Sequence, residues 1–448
     1  MKIIIAGAYD IGTHLAKLLS RNNQDIILID EDEERLANIS SEYDMMTINE
    51  SPSSIRTLTD AGADKADLFI AVTPDENLNM NCCIIAHALG AKKTVARIDN
   101  PEFAQADKQD FFRKLGIDSL IYPEMLAAKN IVGGMKMSWV RQRWDILDGA
   151  LVMLGIKLHE ACQITDRPLK EVCTPEEPYH IVAIKRHGET IIPTGNDMLQ
   201  HLDLVYFITT KNYIPYIRKI VGKEHYVDVK NVMIMGGGKT AVRAVKMLPE
   251  YIEAKIIETD FHRCEYLNNV IDTDQVMVIN GDGRDLSLLI EESIKNTHAF
   301  VATTGSTETN ILACLAAKRM GVRKTVAMVE NLDYISMAES LDIGTIVNKK
   351  ALAASHIYQM MLDADVQNIR FLMNANADVV EFTAERGSKV TRKKVHELNL
   401  PRGCTIGGLV RHGIGQLVSG NTQIETGDIV VIYCHNVNLK KIEGFFRA

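Results

Sequence analysis

The chain is poor in what a metalloenzyme, a membrane span or a nucleic-acid binder is built from. Its eight cysteines, at 82, 83, 162, 173, 264, 314, 404 and 434, include no C-x-x-C pair, and its thirteen histidines show no H-x-x-x-H or H-E-x-x-H spacing. No zinc framework follows from them. Cys82 and Cys83 are adjacent and cannot both face one ion from a helix. The scatter fits buried thiols in a reducing compartment. Lys+Arg 50 against Asp+Glu 58 leaves a net charge of −8, so there is no basic excess for nucleic acid or for an anionic membrane face. No apolar run approaches the roughly 18 residues of a spanning helix. The chain opens directly on a strand, without a basic leader and cleavage site, and reads as cytoplasmic.

What remains is an ordinary globular composition, 46% hydrophobic over 448 residues, too long for one core. The stretch Val232–Glu258 organises it. Val232–Met235 is a short apolar strand run, and Gly236, Gly238 and Ala241 give the G-x-G-x-x-A spacing. Such a turn brings backbone close to a pyrophosphate and aims the next helix at it. That helix is expected from about Thr240 to Leu248. A second strand ends at Glu258, about 20 residues past the glycines, where a carboxylate accepts ribose hydroxyls. Gly238-Lys239-Thr240 mimics the end of a P-loop, but the required earlier glycine is Met233. Lys239 instead belongs at the mouth of the Rossmann turn.

The N-terminus repeats the unit: strand KIIIAG, helix Thr13–Ser20, strand DIILID, with Asp30 where the second copy has Glu258. Its turn, Gly7-Ala8-Tyr9-Asp10-Ile11-Gly12, has Tyr9 in place of the middle glycine. Tyr9 crowds a pyrophosphate and Asp10 repels it. The first site is therefore expected to bind weakly, to bind differently, or to be degenerate. Farther on, Ala91–Asn100 is matched by Val322–Asn331. The offset is 231 from Ala91 to Val322, 229 from Gly7 to Gly236 and 228 from Asp30 to Glu258, so the register drifts little over a whole domain. This is a domain-scale duplication, not a solenoid.

Alternating apolar strands and helices within each copy imply a parallel sheet covered on both faces. Thr73–Asn77 and Thr304–Glu308 close the fourth strand of each, where such sheets bind ligands. After each copy short alternating runs take over, 150–222 and then Phe371–Thr383 onward, as in a small α+β module. The expected fold is α/β: two Rossmann-like, doubly wound parallel-sheet domains at 1–136 and 226–363, each followed by a small α+β domain, at 137–225 and 364–448.

In this order, MKIIIAGAYDIG, AGADKADLFIAVTPDENLN, TVARI, GGGKTA, GDGRDLSLL and TETN make the chain resemble the peripheral subunits of Trk-type bacterial potassium uptake (TrkA), built of tandem regulator-of-potassium-conductance (RCK) domains. The likeness spans essentially the whole chain. It implies nucleotide contacts at Gly7, Ala8, Tyr9, Asp10, Ile11, Asp30, Thr73, Pro74 and Arg97, and at Gly236, Gly237, Gly238, Lys239, Thr240 and Glu258. It also implies NAD or NADH as ligand, with ATP and ADP as alternatives, and a homotetramer. The implied partner is a membrane-embedded potassium-translocating subunit of the TrkH/TrkG kind, on the inner face of the plasma membrane. Asn49-Glu50-Ser51-Pro52 departs from the second copy's Gly281-Asp282-Gly283 and suggests a different loop path in the first half. The competing reading is an NAD-dependent dehydrogenase. That needs an acid or base placed by a substrate domain, and the small modules carry no His/Asp, Lys/Asp or Tyr/Lys constellation.

Overall fold

In the computed structural model of the chain, the structure describes residues 1–20, 24–40, 43, 45–135, 137–331, 333–361, 366–372, 377–435, 437 and 439–447. The domain boundary expected at 363/364, residue 136 and part of the run 371–383 lie outside these residues. The molecule divides into two compact units.

The first unit, residues 1–127 with the segment beginning at Asn348, is built on β1 (Lys2–Ala6), β2 (Asp25–Asp30), β3 (Met46–Asn49), β4 (Leu68–Ala71), β5 (Thr94–Arg97) and β6 (Ser119–Ile121). All pairings are parallel, in the order β3-β2-β1-β4-β5-β6. The central strands are buried on both faces, which explains their unbroken apolar sequences KIIIA and LFIA. Helices α1 (Asp10–Ser20), α2 (Glu33–Ser40), α3 (Ile55–Asp60), α4 (Glu76–Leu89) and α5 (Gln109–Lys114) connect them, before α6 (Pro123–Met135) leads out. The chain order reverses between β1 and β4, which opens a ligand crevice at their carboxyl ends.

The second unit begins at Ala128. Its first sheet comprises β7 (Gln142–Ile146), β8 (Leu151–Lys157), β9 (Tyr179–Arg186), β10 (Glu189–Ile191) and β11 (Leu204–Thr209), antiparallel in the order β10-β9-β11-β8-β7. The short helices α7 (Leu169–Val172) and α8 (Ile214–Ile220) belong to this module. There follow β12 (Asn231–Met235), α9 (Lys239–Val245), β13 (Glu253–Glu258), α10 (Phe261–Val270), β14 (Val276–Asn280), α11 (Leu286–Glu291), β15 (Ala299–Ala302), α12 (Thr307–Arg319), β16 (Lys324–Met328), α13 (Asp333–Ser340) and β17 (Thr345–Val347). Their sheet order, β14-β13-β12-β15-β16-β17, repeats that of the first unit.

The next helix, α14 (Lys349–Met361), belongs to the first unit. It packs on α1, where Ala353, Ala354 and Ile357 meet the core of Leu15, Ala16 and Leu19. The last module has β18 (Val366–Leu372), β19 (Ala377–Thr383), α15 (Lys389–Arg392), β20 (Cys404–Arg411), β21 (Ile414–Leu417), β22 (Ile429–His435) and α16 (Leu439–Phe446), with sheet order β18-β19-β22-β20-β21. Its sheet shares one apolar core with the first small sheet: Met153, Val182, Tyr206 and Ile208 against Val379, Val410, Val431 and Tyr433. Gly407 is required there, since a Cβ would lie 2.1 Å from Ile208 Cδ1.

Candidate nucleotide-binding site

Each parallel sheet ends its first strand in a glycine held at positive φ, Gly7 at 107° and Gly236 at 97°, a conformation that costs other residues energy. The backbone there runs against the β4–α4 loop or its second-copy equivalent. A Cβ on Gly7 would stand 3.0 Å from Thr73 N, and one on Gly236 3.1 Å from Thr304 N. Gly12 is tighter still, since its Cβ would lie 1.9 Å from Gly7 O. At Gly238, by contrast, the nearest atom to a Cβ is Thr303 O at 4.0 Å. The space before the turn is open in the second copy. In the first, Tyr9 stands at this position.

The acids sit as the spacing expects, in unequal surroundings. Glu258 is half-buried; its Oε2 accepts from Gly237 N at 2.8 Å, and Oε1 accepts from Asp260 N at 3.0 Å and Thr259 Oγ1 at 3.1 Å. Burial works against its charge, but the amides of Asp260 and Gly237 outweigh it and hold the carboxyl below the usual range. No cation among the described residues lies within ion-pairing distance of it. Asp30 is only 4% exposed. It accepts from Ala8 N at 2.6 Å and Asp32 N at 2.9 Å, and Arg35 Nη1 lies 3.3 Å from Oδ1. The same arginine stacks on Tyr9, 3.9 Å from the ring centroid. Arg35 and Tyr9 together form a lid of side chains beside the first acid.

Arg35 has a counterpart that sequence reasoning missed. Arg263 lies five residues past Glu258 as Arg35 lies five past Asp30, and its Nε donates to Gly237 O at 2.8 Å while the guanidinium stacks on Tyr266. Both arginines thus fold back toward the glycine turn, where a planar cation can stack on a base or meet a phosphate. The duplication was the signal that could have found them.

A second missed pair is Asn79 and Asn310, each six residues past the threonine, Thr73 or Thr304, in the loop after its strand. Asn310 Oδ1 accepts from Thr304 N and Oγ1, and Nδ2 donates to Thr304 O and Met328 O, at 2.7–3.0 Å. Asn79 makes the same four bonds to Thr73 and Arg97 O. Each asparagine is almost fully buried and ties the fourth and fifth strand ends together under the crevice. Asn310→Ala should cost about 3 kcal/mol by stranding these groups, seen as a lower calorimetric midpoint, with Asn310→Asp between alanine and the native protein.

The other residues named from sequence divide by what they can offer. Thr73 is buried beside Gly7 and Thr240 is buried at the start of α9, whereas Pro74, Gly238 and Lys239 are exposed at the rim. The side chains of Ala8 and Ile11 join the core, which leaves only their backbone to face a ligand. Asp10 is ion-paired with Lys350 of α14 at 2.6 Å, so the repulsion expected from it is partly offset. Arg97 ends β5 with Nη1 3.3 Å from Thr73 O and Nη2 3.1 Å from Asp99. Its buried Nε has no hydrogen-bond partner among the described residues, while the equivalent Met328 is buried in the second copy.

The loop after the third strand does not diverge as Glu50 and Pro52 suggested. Both copies run through the same bend, turn and capped helix start, because Glu50 is drawn aside to accept from Thr57 Oγ1 at 2.6 Å. No group of three His, Cys, Asp or Glu able to hold a metal occurs among the described residues.

This geometry coincides with the family match. The model for the TrkA-N domain matches residues 3–123 and 232–349, and that for the TrkA-C domain residues 153–222 and 379–447. The chain belongs to the TrkA family. Relatives include the Trk system potassium uptake proteins TrkA of Haemophilus influenzae, 31% identical, and of Vibrio alginolyticus, 29% identical; each alignment covers 100% of this chain and 99% of that protein. A TrkA homolog of Archaeoglobus fulgidus is 28% identical, with 100% of both chains covered. Among solved structures, the GsuK RCK domain has a TM-score of 0.62 at 16% identity, covering 99% of this chain and 94% of that one. The GsuK channel bound to NAD has a TM-score of 0.60 at 16% identity, covering 99% and 78%. At such identity these structures bear on the fold alone; the tandem order rests on the alternating TrkA-N and TrkA-C matches and on the repeated sheet topology.

Proposed function

We propose that this TrkA chain is the nucleotide-sensing regulatory subunit of a potassium uptake system. It binds NAD or NADH at its Rossmann crevices and transmits the bound state to a potassium-translocating membrane protein of the TrkH/TrkG kind. The observation that carries this reading is the second crevice: a glycine turn with open space at Gly238 and an accessible, ionised Glu258 beside it. A carboxylate that grips both ribose hydroxyls disfavours a 2′-phosphate, so NADP is the poorest ligand. ATP and ADP share the ribose and stay in competition with NAD. A ligand shifts a conformational equilibrium only by its differential affinity, and several crevices summed over a homotetramer raise the free energy on offer.

Reading the chain as a regulator agrees with relatives named for potassium uptake, and no described helix is long and apolar enough to cross a membrane. The peripheral location is part of the same proposal. The test is potassium flux in liposomes carrying the cognate transporter, with this protein and each nucleotide in turn. Flux should change on adding the protein and change again between nucleotides. Indifference under every condition, with no co-purification of the pair, would sink the reading. The dehydrogenase alternative is checked separately with NADH and a panel of 2-oxo acids and aldehydes. No protein-dependent loss of nicotinamide absorbance is expected.

A further inference from the structure

Six of the eight thiols behave as the sequence suggests. Cys82, Cys83, Cys162, Cys264 and Cys314 are buried and Cys173 half-buried, and desolvation raises the pKa of each. Cys404 and Cys434 differ. They are thirty positions apart in sequence yet directly opposite in the antiparallel β20–β22 ladder.

Their place in the ladder matters. His435 N donates to Gly403 O at 2.8 Å, one step outside the pair, and Cys404 N donates to Pro401 O, not to Cys434. Cys404 and Cys434 therefore form a non-hydrogen-bonded pair, the kind whose side chains stand closest, with Cα atoms about 4.5 Å apart. That separation lies within the span a disulfide bridges. The strands also approach closely at Gly403, where a Cβ would meet His435 O at 2.6 Å. The two residues thus face one another across the ladder.

Accessibility orders them. Cys404 is half-exposed at the start of its strand, and Cys434 is 1% exposed behind it. The hydrogen bond from Cys434 favours the thiolate of Cys404 and pulls its pKa below the usual thiol value, against the cost of burial. An accessible low-pKa thiol backed by a second thiol is the arrangement that attacks and then resolves.

We propose that Cys404 and Cys434 form a reversible dithiol–disulfide site in the second small module, oxidised by low-molecular-weight disulfides. The Cys404 thiolate attacks one sulfur of the small disulfide, forming a mixed disulfide and expelling one small thiolate. The Cys434 thiolate then attacks Cys404 Sγ, closing the protein disulfide and expelling the second small thiolate. The two protons lost by the cysteines end on the two small thiols, so two electrons pass from the protein to the small disulfide. The new bond ties the first residue of β20 to β22 just before the segment that leads into α16.

The test uses the full-length protein in glutathione buffers stepped from reduced to oxidised, quenched, denatured and alkylated. Intact mass should show two of the eight thiols lost together, and proteolytic mapping should find the Cys404 and Cys434 peptides joined. Cys404→Ser should retain its other thiols across the same range. Mapping of the native sequence decides the matter even if that variant folds poorly. Both peptides fully alkylated at every ratio, or glutathione left on Cys404 with Cys434 still alkylatable, would overturn the site.

Discussion

Replacing Glu258 with alanine should weaken nucleotide binding at the tighter class of site about 100-fold. Two charge-assisted hydrogen bonds to ribose hydroxyls are worth about 1.5 kcal/mol each, and about 3 kcal/mol corresponds to two decades in Kd. The carboxylate is ionised and half-exposed, held by the amides of Gly237 and Asp260, so it is presented without first having to leave a cation. Glu258→Gln keeps the shape and one acceptor oxygen, and should fall in between. Asp30→Ala should act on a weaker site or one of different preference, because Asp30 is enclosed by Arg35 and Ala8 N and the turn beside it carries Tyr9. Calorimetric titration with each nucleotide gives affinity and stoichiometry together. If both alanine variants titrate like the native protein, the assignment of the two acids is wrong.

The parts readable from sequence were those set by local pattern. Apolar strands, glycine turns and terminal acids lie where spacing puts them, because a βα unit closes over short distances. The helix ends shifted by a few residues, α1 starting at Asp10 and not Thr13, and α9 stopping at Val245 and not Leu248, since local end geometry decides ends more finely than periodicity does. What stayed hidden was pairing over distance. Asn310 looks like an ordinary helix residue until its bonds to Thr304 and Met328 are seen, and Cys404 and Cys434 look scattered until the ladder sets them opposite. The packing of α14 on α1 is likewise invisible to any window, because its apolar face fits either Rossmann sheet. Comparing the copies residue by residue would have recovered Arg35 with Arg263 and Asn79 with Asn310. It would have misjudged Lys324, whose counterpart Lys93 is exposed.

Lys324 belongs to the polar seam that joins the first small module to the second Rossmann sheet, and the last prediction concerns that seam. Asp342 accepts from Arg141 at 2.5 Å and Lys318 at 2.8 Å, with the arginine and aspartate side chains 16% and 26% exposed. Burial opposes the charge on Asp342, but the two cations overcome it and hold the carboxyl below its usual range. Asp342→Ala strands those cations and should cost about 3 kcal/mol, lowering the calorimetric midpoint of this unit by several degrees. The stabilisation is present above the unfolded carboxyl pKa and is lost as pH falls through the lower folded value. Lys324 is also held below its usual range, but there the shift is a cost to the fold and not a gain. Its Nζ donates to Val140 O at 2.7 Å and Thr345 Oγ1 at 3.1 Å, while burial, then Arg141, lowers its pKa to about 7. Above that pH the folded lysine is neutral while the unfolded one keeps its proton up to the ordinary lysine range. Stability should therefore rise with pH in this window, with a slope of up to about 1.4 kcal/mol per unit. Lys324→Met should flatten the rise without reproducing the loss seen in Asp342→Ala, because methionine fills the space and leaves no charge behind. Equal slopes in the native protein and Lys324→Met between pH 7 and 9 would show that the lysine stays protonated in the fold. The seam would then need another cation sink.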